Sequence, residues 1–150
     1  MKHLISATLA ALLGITFSAA TFSATPEEAI KFRQGVFNAQ KWNMITMGEI
    51  VKGDKPYDHV DFAKRADNLA ALSKIFIEGF SYEGANKGES GAKPEIWLAL
   101  DKFKSGADKL GVETAKLAQA AQGSDFKAIK MQFGEVQKTC KGCHDNFRNK

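Results

Sequence analysis

Both cysteines of the 150-residue chain and one of its three histidines stand in a single run, Cys140-Lys141-Gly142-Cys143-His144. Residues three and four apart on a helix share a face, so on a helix these three side chains project together. Two thioether bonds can then fix the edge of a porphyrin while the adjacent imidazole reaches its iron, which is the chemistry of a c-type haem. A chance C-x-x-C-H is expected on the order of once in a thousand chains of this length. Two other chemistries use the same residue types. A redox dithiol normally sits at a helix start after a strand, where the helix dipole lowers a thiol pKa, whereas this pair lies near a helix C-terminus in a chain with no strand pattern. Zinc needs a fourth ligand, and the only other histidine beyond the N-terminal segment is His59. One covalent haem c per chain, with His144 as the metal ligand, fits the residues best.

Four helices are expected to position this run. Thr25-Pro26-Glu27-Glu28 has the cap, the first-turn proline and the carboxylate of a capping box, and Ile30, Phe37, Met44 and Val51 recur every seven residues until Gly53 and Asp54. The first helix therefore spans about Pro26 to Lys52, with Arg33, Gln34 and Gln40 interrupting an apolar stripe. Ala63, Ala66, Leu69, Leu72, Ile75, Phe76 and Phe80 predict a second from about Asp58 to Phe80. The polar, glycine-rich stretch "SYEGANKGESGAK" is a loop, and Pro94 opens a third helix whose stripe runs from Ile96 to Ala121. After Gly123, Ser124 is the expected cap of a fourth, in which Phe126, Ile129, Phe133, Val136, Cys140, Cys143 and Phe147 alternate by three and four. The fold class is all-α, an antiparallel four-helix bundle.

Lys2, an uncharged run from Leu4 to about Ala20, and small residues beyond it read as a secretory signal peptide over residues 1–24, cleaved between 20 and 24, with no membrane anchor expected and a periplasmic destination. The bundle occupies residues 25–150 as one domain. The formal net charge of +4 includes Lys2, which leaves about +3 on the bundle. Its lysines are scattered, so no nucleic-acid partner is expected. Neither a serine, histidine and carboxylate set nor a glycine-rich phosphate loop is present, and no enzyme activity is expected.

Small electron carriers of the mitochondrial type have C-x-x-C-H near the N-terminus and a methionine ligand downstream. Here the motif closes the fourth helix, "TPEEAIKFRQ" opens the first and "AKPEIW" the third, and in these features the chain resembles the cytochrome c′ family. That resemblance implies that Arg33 and Gln34 lie near the haem propionates, that Phe37 stands over the distal face of the iron, and that Arg148 is a basic residue beside the proximal histidine. It also implies a homodimer joined through the first two helices.

Met44 lies seven residues from Phe37, about 10 Å along a helix, and no methionine falls between Pro26 and Asn43 to serve as a sixth ligand. Met44 and Met47 are then core fillers. The expected haem is five-coordinate and high-spin, with an apolar distal pocket capped by Phe37 and lined by Ile77 or Phe80. Such a wall offers no hydrogen bond to polarised O₂ but does not exclude NO, and it hinders CO. The expected role is binding NO, for its transport or detoxification, and the alternative is a one-electron carrier with an unknown redox partner.

Overall fold

A computed structural model describes residues 24–82 and 84–149. Helix α1 (Pro26–Lys52) starts at a reciprocal capping box. The Thr25 N–H donates to Glu28 Oε2 at 2.7 Å and the Glu28 N–H to Thr25 Oγ1 at 3.2 Å, satisfying two otherwise orphaned donors. It stops at Gly53, whose φ of 88° only glycine adopts without strain. The heptad of Ile30, Phe37, Met44 and Val51 is not its buried centre. The buried line is Ala29, Arg33, Val36, Gln40, Asn43, Met47 and Ile50, because the polar members find partners. Gln40 Nε2 donates to Ser73 Oγ at 3.5 Å and Asn43 Nδ2 to the Ala39 carbonyl at 2.9 Å, so their burial is compensated.

Asp58 caps α2 (His59–Ile75) by accepting the Asp61 N–H at 2.9 Å. The expected single helix to Phe80 tightens instead into a 3-10 segment, Phe76–Phe80. Gly79 weakens the α-helix there, and its carbonyl serves Arg33, which donates to it from Nη1 at 3.1 Å. The third expected helix is also divided. One turn, α3 (Glu95–Leu98), precedes α4 (Leu100–Ala121), and between them Ala99 leaves the helical basin at φ −128°, ψ 50°. This break lets Ile96 enter the core and Trp97 meet Phe80, ring centroids 6.0 Å apart, before the α4 stripe restarts. Asp125, not Ser124, caps α5 (Phe126–Phe147), accepting the N–H groups of Lys127 and Ala128 at 3.0 Å each.

These elements form an antiparallel four-helix bundle. The α1 helix packs on α2, α2 on α4 and α4 on α5, while the seam between α1 and α5 is the loosest of the four. Met47, Phe62, Leu117, Ile129 and Phe133 belong to a core that is almost completely sealed. At the opposite end Arg148 leaves the helix and pairs with Ala92, fixing the long loop to the end of α5. The Lys93 N–H donates to the Phe147 carbonyl at 3.0 Å and the Asn149 N–H to that of Gly91 at 2.9 Å. The signal segment lies outside the described residues, among which no helix is long and apolar enough to cross a membrane.

Candidate haem-binding site

The last two turns of α5 carry Cys140, Cys143 and His144. The cysteines are half-buried, unpaired thiols. Burial pushes the Cys140 thiol up to about 11, helped by the neighbouring Cys143, and burial raises Cys143 as well. That direction opposes a redox dithiol, whose reactivity needs a stabilised thiolate. Nor is there a built zinc site, because among the described residues no group of three His, Cys, Asp or Glu side chains is placed to hold a metal, and His59 is exposed at the start of α2. His144 is exposed at its outer edge while its ring is partly desolvated. Desolvation first, then the positive charge of Arg148, lowers its pKa against the opposing pull of Asp145. The net direction favours the neutral imidazole, which is the form that donates to a metal.

Sequence reasoning missed Gly106. A Cβ there would lie 3.1 Å from Cys143 Sγ, so α4 approaches the motif more closely than an alanine would allow without movement. Four glycines punctuate α4 and α5 at unremarkable spacing, and only the pairing of the two helices singles this one out.

What faces the motif follows from register. Near the sealed end Gly48 on α1 lies opposite Phe133 on α5, a Cβ at Gly48 falling 3.8 Å from the Phe133 ring. Phe37 stands eleven residues back along α1 and His144 eleven residues on along the antiparallel α5, so the two share a level about 16 Å away. At this level the two helices face each other across the sparsely packed α1–α5 seam. Phe37 retains 38% exposure although its ring meets Phe76 and Phe80 at 5.5 and 6.3 Å. Phe80 is buried in a chain of rings that continues to Phe103 at 4.8 Å and from there to Phe147 at 5.2 Å. Ile77 is half-buried at the margin of the same core. Met47 is sealed in the core, Met44 is half-buried and Met131 is exposed, and none of them stands at the His144 level.

Arg33 is 3% exposed on the same end of α1. Its Nη1 donates to the carbonyls of Gly79 and Ala85 at 3.1 and 2.8 Å, and its Cζ lies 4.7 Å from the Phe80 ring centre. Nη2 is buried with no acceptor among the described residues. Gln34, one position on, is exposed on another side of the helix. Arg148 does not continue α5 over His144 as a helical neighbour would. It is held there by the bridge to Ala92, with its N–H on the His144 carbonyl at 3.2 Å.

Two thiols, an imidazole whose neutral form is favoured, a sparsely packed seam with Phe37 at the same level and a buried cation with an uncommitted donor fit a haem with its carboxylates. Residues 28–148 match the family model described as Cytochrome C′. A cytochrome c prime structure from Shewanella frigidimarina is 42% identical, with a TM-score of 0.81 over 84% of this chain and 98% of that one. A nitric oxide complex of a mutant cytochrome c prime from Alcaligenes xylosoxidans is 32% identical, TM-score 0.78, over 85% and 98% of the two chains. A carbon monoxide bound variant from the same organism is 32% identical, TM-score 0.78, over 86% and 100%.

Proposed function

The chain belongs to the cytochrome c′ family and carries one covalent haem c, and from that premise we propose that it is a periplasmic protein that binds nitric oxide at a five-coordinate haem. Cys140 and Cys143 would form the thioethers and His144 would be the protein ligand of the iron. The observation that carries this reading is the level shared by His144 and Phe37 across the loosest seam of the bundle, where the opposing side chain is an aromatic ring and not a ligand.

Bound haem supplies an iron able to take a diatomic ligand, and the chain decides which ligands reach it. Phe37, Phe80 and Ile77 form a wall without hydrogen-bond donors, which favours NO over ligands that need polar stabilisation in the bound state. Because Phe37 packs on Phe76 and Phe80, a ligand must displace or repack it, which weakens CO. Arg33, with its Nη2 uncommitted, would hold a haem propionate, and the exposed Gln34 would be left with a solvent-side contact at most. Arg148 sits beside the proximal imidazole and disfavours its protonation. The outward face of α1 exposes Trp42 and Ile45, which supports a homodimer through α1 and α2.

The test is the absorption spectrum of the reduced protein with and without NO. A high-spin, five-coordinate spectrum that changes on addition of NO is expected, and a low-spin, six-coordinate spectrum in both oxidation states would overturn the reading in favour of a one-electron carrier.

A further inference from the structure

A buried guanidinium normally costs several kcal/mol unless it is paired. Among the described residues no carboxylate pairs with Arg33, whose pKa is lowered by burial alone. What surrounds it is a holder built from three separate segments. Both hydrogens of Nη1 are committed, to the Gly79 carbonyl in the 3-10 segment and to the Ala85 carbonyl in the following loop. The rings of Phe80 and of Trp97 in α3 lie 4.7 and 5.7 Å from Cζ, close enough for cation–π attraction. Trp97 is itself oriented, its Nε1 donating to the Phe80 carbonyl at 3.3 Å.

Gly79 contributes twice, through its carbonyl and through the side chain it lacks. A Cβ there would lie 2.6 Å from Arg33 Cγ, 2.9 Å from Phe32 Cδ1 and 3.2 Å from the Ala29 carbonyl oxygen. The first two atoms belong to side chains and the third to the α1 backbone, so an alanine would push the 3-10 segment away from α1 and carry the Gly79 carbonyl off Nη1. With Nη1 anchored at two points, rotation about Cζ–Nε is blocked, and the buried, uncommitted Nη2 is left with one direction.

We propose that Gly79 and Trp97 are positioning residues for a haem carboxylate, acting through Arg33. By fixing Nη2 they make the cation a constant of the fold, which holds that carboxylate ionised and sets how the haem potential responds to pH. The inference rests on the reading that Arg33 faces a propionate, and the experiment separates the two.

Midpoint potential is measured against pH on the haem-loaded protein and on Gly79→Ala, Trp97→Phe and Arg33→Leu, together with the side-chain NMR signals of Arg33 in the diamagnetic ferrous CO form. In the parent, separate Nη resonances are expected. Gly79→Ala should merge them and move the carboxylate-linked inflection of the potential upward by about one pH unit, a tenfold weaker hold on the ionised form. Trp97→Phe keeps a ring in place but loses the anchoring hydrogen bond, and should shift the inflection in the same direction by less. If Arg33→Leu moves the inflection and neither positioning variant does, the proposal fails while the role of Arg33 stands. If Arg33→Leu moves nothing, both fall. Should Gly79→Ala fail to load haem, Trp97→Phe decides.

Discussion

At the Lys52 end of the bundle Met47, Phe62, Leu117 and Ile129 are sealed from water and Phe133 is 1% exposed, whereas about 16 Å along the same helices Phe37 keeps 38% of its surface and Cys140 and Cys143 are half-buried. The buried polar side chains of the two long helices differ as well. Thr114, deep in α4, returns its hydroxyl to the Leu110 carbonyl at 2.8 Å, while Arg33 keeps a buried N–H with no acceptor. One end is closed by its own apolar packing, although the Tyr57 hydroxyl there, beside Phe62 and Phe126, is also buried with no partner among the described residues. On the proposed reading the other end would be completed by a group that brings carboxylates, an iron for His144 and two carbons for the thiols. The bundle can thus draw its stability from one end and leave the other free to hold a ligand-accessible site.

The sharpest break of this contrast comes from the thiols. Replacing Cys140 and Cys143 together by serine should abolish covalent haem entirely, read as loss of haem stain from the denatured chain on a gel. Residual covalent haem would deny the motif its role. At the sealed end Phe133→Ala should cost about 3–5 kcal/mol in denaturant unfolding, the usual range for emptying a buried phenylalanine site, with the haem absorption spectrum unchanged. A changed spectrum would show that the two ends are not separable.

Phe37→Ala belongs to the other end and should behave oppositely. The ring is already partly exposed, so stability falls by roughly 1 kcal/mol, but CO should associate on the order of tenfold faster and bind more tightly once the wall against the iron is gone, a free-energy change of about 1.4 kcal/mol. Unchanged CO kinetics by flash photolysis would reduce Phe37 to a packing residue.

How much of each end was legible follows the same division. Capping signals and apolar spacing placed all four long helices, since Thr25 with Glu28 and the α4 and α5 stripes are local in sequence. The motif Cys140 to His144 was legible for the same reason. Spacing failed where distant segments decide the outcome. It selected Ile30, Phe37, Met44 and Val51 as the inner line of α1, because it could not know that Gly79 and Ala85 would offer carbonyls to Arg33, or Ser73 a hydroxyl to Gln40. It missed the break at Ala99 and the 3-10 turn before Phe80 on the same grounds. Gly79 and Gly106 carry no signal until a second helix is laid against them. The polar interruptions in the α1 stripe were nonetheless a trace of the site, since arginine on an inner face demands a partner.

The smallest effect tests whether the sealed end is also closed by polar contacts. Gln132, beside Phe133, donates from Nε2 to the Glu113 carbonyl at 3.1 Å and to its Oε2 at 2.7 Å, and Lys116 reaches Oε1 at 3.0 Å. The hydrogen bond from Gln132, and then that from Lys116, holds the Glu113 carboxyl below the usual value of 4.5. A lowered carboxylate pKa stabilises the fold above the unfolded value and loses that contribution as pH falls through the folded one. The thermal midpoint of the parent should therefore exceed that of Glu113→Gln near neutrality, and the gap should narrow as the pH drops below about 4.5. Because this clip ties α4 to α5 away from the seam, neither the substitution nor the acidification across that window should change CO binding by more than the overall loss of folded protein. A gap that widened in acid would mean that Glu113 is held by something other than its ionised contacts.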